Sequence, residues 1–169
     1  MLSKKIETAL NEQIAKEAYA SNHYLAMASW CEKEGLRHSA AFHYTQSEEE
    51  TQHMRKLLHY VNAAGGHGLV SEVKEPPNDF KSIFEIFELA LEHEIKVTKS
   101  INSLVDLCLK EKDYSTFNFL QWYVSEQHEE EKLFNSILDL TRITGTDPRG
   151  VFFFDSEISK LRAEEANEK

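Results

Sequence analysis

Proline and glycine are scarce in this sequence, three and six of 169 residues. Five of the glycines sit at 65, 66, 68, 145 and 150, and Gly35 stands alone in the N-terminal third. So few breakers leave long uninterrupted segments, the composition of an all-helical protein. Cysteine is nearly absent. Cys31 and Cys108 are too few and too far apart for a disulfide framework, and are expected as reduced thiols in or near a helical core. Positive charge is short as well: 19 Lys and Arg against 29 Asp and Glu leave a net charge of -10. That balance argues against a nucleic-acid partner, since phosphate binding needs clustered Lys and Arg, and it is compatible with an acidic surface that attracts cations. No apolar run is long enough to span a bilayer, and Met1-Leu2-Ser3-Lys4-Lys5 turns polar too early for a signal peptide. No membrane partner and a cytoplasmic location are therefore expected. What remains is one domain, 1–169, large enough to bury about 70% of the surface its unfolded chain exposes.

Along that chain the apolar residues recur at alternating three- and four-residue steps. Ser3 reads as an N-cap, and the helix after it runs to about Glu34, closed by Gly35 in a left-handed conformation. Its buried stripe is Leu10, Ile14, Glu17, Ser21, Tyr24 and Ala28. A second helix, roughly Leu36 to Ala64, lines up His43, Ser47, Glu50, Met54, Leu57, Val61 and Ala64, with His53 beside them. Gly65-Gly66-His67-Gly68 stops it. The stretch that follows, ending in Glu75-Pro76-Pro77-Asn78, has no helical pattern. Extended at ~3.3 Å per residue it reaches ~50 Å, enough to cross a helix ~40 Å long and set the second and third helices parallel. Bundles with one such crossover are ferritin-like in topology.

The third helix, from Asp79 or Ser82 to about Lys110, carries Ile83, Phe87, Ala90, Glu94, Val97, Ile101, Leu104 and Cys108. The short Glu111-Lys112-Asp113 turn returns the fourth helix antiparallel, about Tyr114 to Thr144, with Thr116, Leu120, Tyr123, Gln127, Glu130, Phe134 and Ile137. Gly145-Thr146-Asp147-Pro148 reads as a stop, an N-cap and a first-turn proline, opening a short fifth helix over about 148–165. The fold class is thus all-α, a four-helix bundle with one crossover and a short C-terminal helix. Phe152, Phe153 and Phe154 cannot all face one bundle, so some are expected to bury against another subunit.

Each long helix interrupts its apolar seam with a ligand-type side chain near mid-length: Glu17, Glu50 with His53, Glu94, and Gln127 with Glu130. Glu50 and His53, three apart, share one helix face. Alone, Glu-x-x-His is common. Four interruptions at one depth are not, because buried unpaired carboxylates cost several kcal/mol each and repel one another. Cations resolve the conflict. An oxygen-rich set with one imidazole suits two iron ions bridged by Glu50 better than a structural zinc. The other histidines, 23, 38, 43, 59, 67, 93 and 128, read mostly as surface side chains.

These residues carry a resemblance. Glu17, Tyr24, Glu50-x-x-His53, Glu94, Trp122 and Gln127-x-x-Glu130, with the crossover and the fifth helix, resemble the non-haem bacterial ferritins over essentially the whole chain. The resemblance implies that Glu17, Glu50 and His53 hold one ferroxidase iron, and that Glu50, Glu94 and Glu130, with Gln127 close by, hold a second. It implies a third, inner iron site at Glu49, Glu126, Glu129 and Glu130; read from the residues alone, the first three are charges on solvated helix faces. Tyr24 is then a hydrogen-bond partner of a ligand carboxylate or a one-electron donor, and Trp122 lies nearby. The implied function is oxidation of Fe(II) by O2 or H2O2 and deposition of hydrous ferric oxide inside a homo-oligomeric shell of twenty-four subunits. Haem is not expected, because Thr51 follows Glu50 where a bacterioferritin would carry methionine, and the fourth helix has Gln127-x-x-Glu130 instead of a second Glu-x-x-His.

Two other classes compete. A di-iron peroxidase or oxygenase acting on peroxide or an organic substrate would need a substrate pocket, and no small-residue gap opens the seams beside Glu94 or Glu17. A structural or carrier bundle with a zinc or calcium site would not oxidise iron.

Overall fold

The computed structural model describes residues 2–168, with side chains as far as Leu161. Its elements are α1 (Lys4–Lys33), α2 (Arg37–Ala63), α3 (Ile83–Glu111), α4 (Tyr114–Thr144) and α5 (Pro148–Glu168). Local chemistry sets most of these limits. The Ser3, Ser82 and Asp113 side chains accept from backbone N–H groups three residues on, at 3.4, 3.1 and 3.0 Å, and so cap α1, α3 and α4. Gly35, at φ +80°, ends α1 as the sequence suggests. Asp147 Oδ1 accepts from Arg149 and Gly150 N–H at 2.9 and 2.8 Å and opens α5. The fifth helix is longer than expected, 21 residues.

α2 has no side-chain cap of its own. Its cap comes from far along the chain: Asp155 on α5 accepts from Ser39 N–H at 2.8 Å and His38 N–H at 3.3 Å. Phe154 and Ile158 bury beside it, while Phe152 and Phe153 stay 75% and 51% exposed.

The connection between α2 and α3, residues 64–82, runs along α1. Near its beginning, His67 and Leu69 exchange hydrogen bonds with Glu7 and Asn11, early in α1. Near its end, Phe80 packs edge-on to Trp30, late in α1, with ring centroids 6.0 Å apart. α2 and α3 therefore both begin beside the C-terminal end of α1. They run parallel, as the linker length requires of a crossover bundle.

Every residue of the α3 and α4 stripes read from the sequence is buried. The core nevertheless divides in two. One apolar cluster gathers Tyr24, Met27, Cys31, Phe42, Phe87, Phe134 and Phe154; the other gathers Ile6, Leu10, Ile14, Leu57, Val61, Val97, Ile101 and Leu120. Each such side chain contributes about 1.5–3 kcal/mol on burial. Between them, along each of α1 to α4, lie the carboxylates. Both cysteines are free and buried. Among the described residues no helix is long and apolar enough to cross a membrane.

Candidate metal centre

Glu17, Glu50, Glu94, Gln127 and Glu130 occupy seam positions and are 0–4% exposed; His53, beside its seam, is 6% exposed. The seams put them there: each replaces an apolar residue on the face its helix turns inward. One ligand atom each from Glu17, Glu50 and His53 fall within 4.8 Å of one another. His53 Nδ1 lies 3.3 Å from Glu50 Oε2, the product of the three-residue spacing on α2. Trp122 and Tyr123 meet the His53 ring edge-on at 5.3 and 6.1 Å, and the Tyr123 hydroxyl donates to His53 C=O at 2.8 Å. The imidazole is thus walled in.

Glu94 and Glu130 share the layer without joining that trio. Tyr24 OH donates to Glu94 Oε1, and Gln127 Nε2 donates to Glu94 Oε2 at 3.0 Å. Gln46 Nε2 donates to Glu130 Oε2 at 2.9 Å. Glu49, Glu126 and Glu129 lie half-buried on α2 and α4, beside Glu50 and Glu130 in the chain. Among the described residues, only Glu17, Glu50 and His53 converge as a group of three acidic or imidazole ligands.

The electrostatics show what the layer lacks. Burial, then the charge of Glu50, pushes Glu17 well above the carboxylate range. Burial, then the charge of Glu94, does the same to Glu50, with Glu130 and Glu49 adding to it. Burial raises Glu94 to about 7 against the opposing hydrogen bonds from Tyr24 and Gln127. The histidine nearby is one, the carboxylates several. A divalent ion bound among these carboxylates would compete with protons for them and relieve the repulsion that raises them.

Sequence reading missed two glutamines. Gln13 and Gln46 are fully buried and donate to Glu17 Oε1 (2.7 Å) and Glu130 Oε2 (2.9 Å). Each stands four residues before a seam glutamate, Glu17 or Glu50, which was the available signal. The histidines also divide. His38, His59, His67 and His128 are exposed as expected, whereas His23 and His43 are buried and His93 is half-buried. These three rings surround Tyr24 at centroid distances of 6.3, 5.8 and 6.3 Å. Burial drives His43 down to about 3 and His93 to about 4, so both are neutral.

A cavity of about 640 Å³ lies outside the seams, between α1, α3 and the crossover. Tyr19, His23 and His93 form part of its wall, with Lys16 and Ser100 nearby. The crossover creates it, which the helical periodicity could not reveal.

A crossover bundle with a carboxylate-rich layer at mid-height defines the ferritin-like class, and the family described as Ferritin-like domain matches residues 7–143. A bacterial non-heme ferritin of Campylobacter jejuni is 49% identical over 161 residues, covering 95% of this chain and 96% of the relative. Among solved structures, the open pore ferritin of Archaeoglobus fulgidus superposes with a TM-score of 0.91 at 41% identity, covering 94% of this chain and 98% of that one. The Chlorobium tepidum ferritin gives 0.84 at 49% identity, covering 95% and 99%. The chain belongs to the bacterial non-haem ferritins. It is an iron-storage protein with ferroxidase activity.

Proposed function

We propose that the chain oxidises Fe(II) at a di-iron centre within each subunit, with iron as its substrate. Glu17, Glu50 and His53 bind the first ion. Glu50, Glu94 and Glu130 bind the second, with Gln127 orienting Glu94 through its amide. Two Fe(II) ions give one electron each to O2 or H2O2, and the Fe(III) formed moves on to hydrous ferric oxide. Glu49, Glu126 and Glu129, with Glu130, take a third ion on the inner side. Tyr24 holds Glu94 by its hydroxyl and is placed to lend an electron. The observation that carries this reading is the convergence of Glu17, Glu50 and His53 in a buried core with more acid than base.

The chain forms one domain, works without haem in the cytoplasm, and assembles as a homo-oligomer, a shell of twenty-four. Thr51, where a haem-ligating methionine would stand, bonds instead to Ser21 Oγ at 2.9 Å and Ser47 C=O at 3.1 Å. The exposed Phe152 and Phe153 suit burial against a neighbouring subunit. The test is stopped-flow absorbance after aerobic addition of two Fe(II) per subunit. A fast ferric signal lost in Glu50→Ala and His53→Ala is expected. Equal, slow oxidation in all three proteins would sink the assignment.

A further inference from the structure

Glu17 is tethered to the exterior by three residues outside the ligand set. Lys16 Nζ donates to Ser100 Oγ at 2.7 Å, Ser100 Oγ donates to Gln13 Oε1 at 2.6 Å, and Gln13 Nε2 donates to Glu17 Oε1 at 2.7 Å. The array has one direction. An ammonium can only donate, so the serine hydroxyl must turn its single hydrogen on the glutamine carbonyl. The amide then has only its NH2 end to offer Glu17. A flipped Gln13 would set its oxygen against a carboxylate oxygen. Gln13 is fully buried, and Lys16 is exposed at the edge of the cavity beneath the crossover. Glu17 Oε2, in contrast, receives no donor from this array, and the buried group coupled to the Glu17 carboxyl by charge and hydrogen bonding is Glu50.

We propose that Gln13, Ser100 and Lys16 are positioning residues for the first iron position: they hold Oε1 of Glu17 and so fix the orientation in which its carboxyl faces Glu50 and His53. The inference rests on the reading of Glu17 as a ligand. It adds that the orientation of the Glu17 carboxyl is set from the outer surface of α1 and α3. Glu94 and Glu130 take their hydrogen bonds from Tyr24, Gln127 and Gln46 instead of from this array, so the second position should feel it less than the first.

The test is anaerobic Co(II) titration of the assembled, metal-free protein, followed by calorimetry and by visible ligand-field absorption. Gln13→Leu is expected to weaken the first Co(II) about tenfold and change its absorption bands, as loss of a ligand's orienting partner does, with a smaller effect on the second Co(II). Ser100→Ala should lose less, Ser100→Thr should recover that loss, and Lys16→Met should show the smallest change. Wild-type affinity and bands in Gln13→Leu, beside a lost site in Glu17→Ala, would overturn the proposal alone. Failure of Ser100→Thr to recover what Ser100→Ala loses would overturn the array beyond Gln13. Two Co(II) bound normally by Glu17→Ala would instead remove Glu17 from the ligands and bring down the functional reading itself.

Discussion

Replacing Glu94 by glutamine should make the metal-free protein more stable at pH 8 while crippling the second iron position proposed above. Burial holds the Glu94 carboxyl near 7, against 4.5 for an ordinary glutamate. A folded-state value above the unfolded one means the folded chain binds the extra proton. Glu94 therefore contributes full stability below pH 4.5 and loses it as the pH rises through about 7. At about 1.4 kcal/mol per pH decade, the loss at pH 8 is about 3 kcal/mol. Glutamine removes the charge and still accepts from Tyr24. It sets its NH2 against the Gln127 amide, however, and forfeits a hydrogen bond of about 1 kcal/mol. The net gain is about 2 kcal/mol, a rise in Tm of about 4–8 °C for a chain of this size. Thermal unfolding in chelator at pH 8 and pH 5 measures it. The advantage should vanish at pH 5, where wild-type Glu94 is already protonated. Adding Co(II) at pH 8 should reverse the order, since wild type has two positions to fill. A Tm for Glu94→Gln at or below wild type at pH 8 without metal would refute the account of the layer as a store of unpaired charge.

Other consequences are simpler to check. Asp155→Ala leaves the first N–H groups of α2 without their acceptor and should lower stability by about 1–2 kcal/mol in urea unfolding, with Asp155→Asn recovering part of it. Gly150→Ala would place a Cβ 2.3 Å from Thr144 C=O, so the α4–α5 corner must shift, at about 1–3 kcal/mol by the same measurement. Burial pushes the Cys31 thiol to about 12 and Cys108 to about 11. Neither should react with a thiol reagent at pH 8 in the folded protein, and both should react once it is unfolded.

The carboxylate layer was legible because it violates a pattern. A glutamate inside an otherwise apolar stripe, as in Ile83–Cys108, contradicts its own periodicity, and four such contradictions at one depth point to each other. The residues that hold those glutamates carry no such contradiction. Gln13 and Gln46 are uncharged and polar, ordinary on any helix surface, and only their four-residue lead over Glu17 and Glu50 marks them. His23 and His43 were hidden for a similar reason: imidazole sits comfortably inside or outside, so its type says little about its place. The cap that Asp155 supplies to α2 lies beyond any local rule, since 116 positions separate it from Ser39. The same holds for the cavity under residues 72–77, which depends on where an aperiodic segment comes to rest.

The division of the core into two apolar clusters has a consequence for folding itself. Helices lined only with leucine could slide past one another by a turn, about 5.4 Å, and still bury the same surface. Here a slide of one turn would drive Glu17, Glu50, Glu94 or Glu130 into the rings of Phe87 and Phe134 on one side or against Leu10 and Ile101 on the other. Misaligned packings are thereby penalised by several kcal/mol for each displaced carboxylate. The acidic waist works as an alignment mark, as a single buried polar residue does in a coiled coil. The carboxylates proposed to receive iron also tell four helices where to stop sliding.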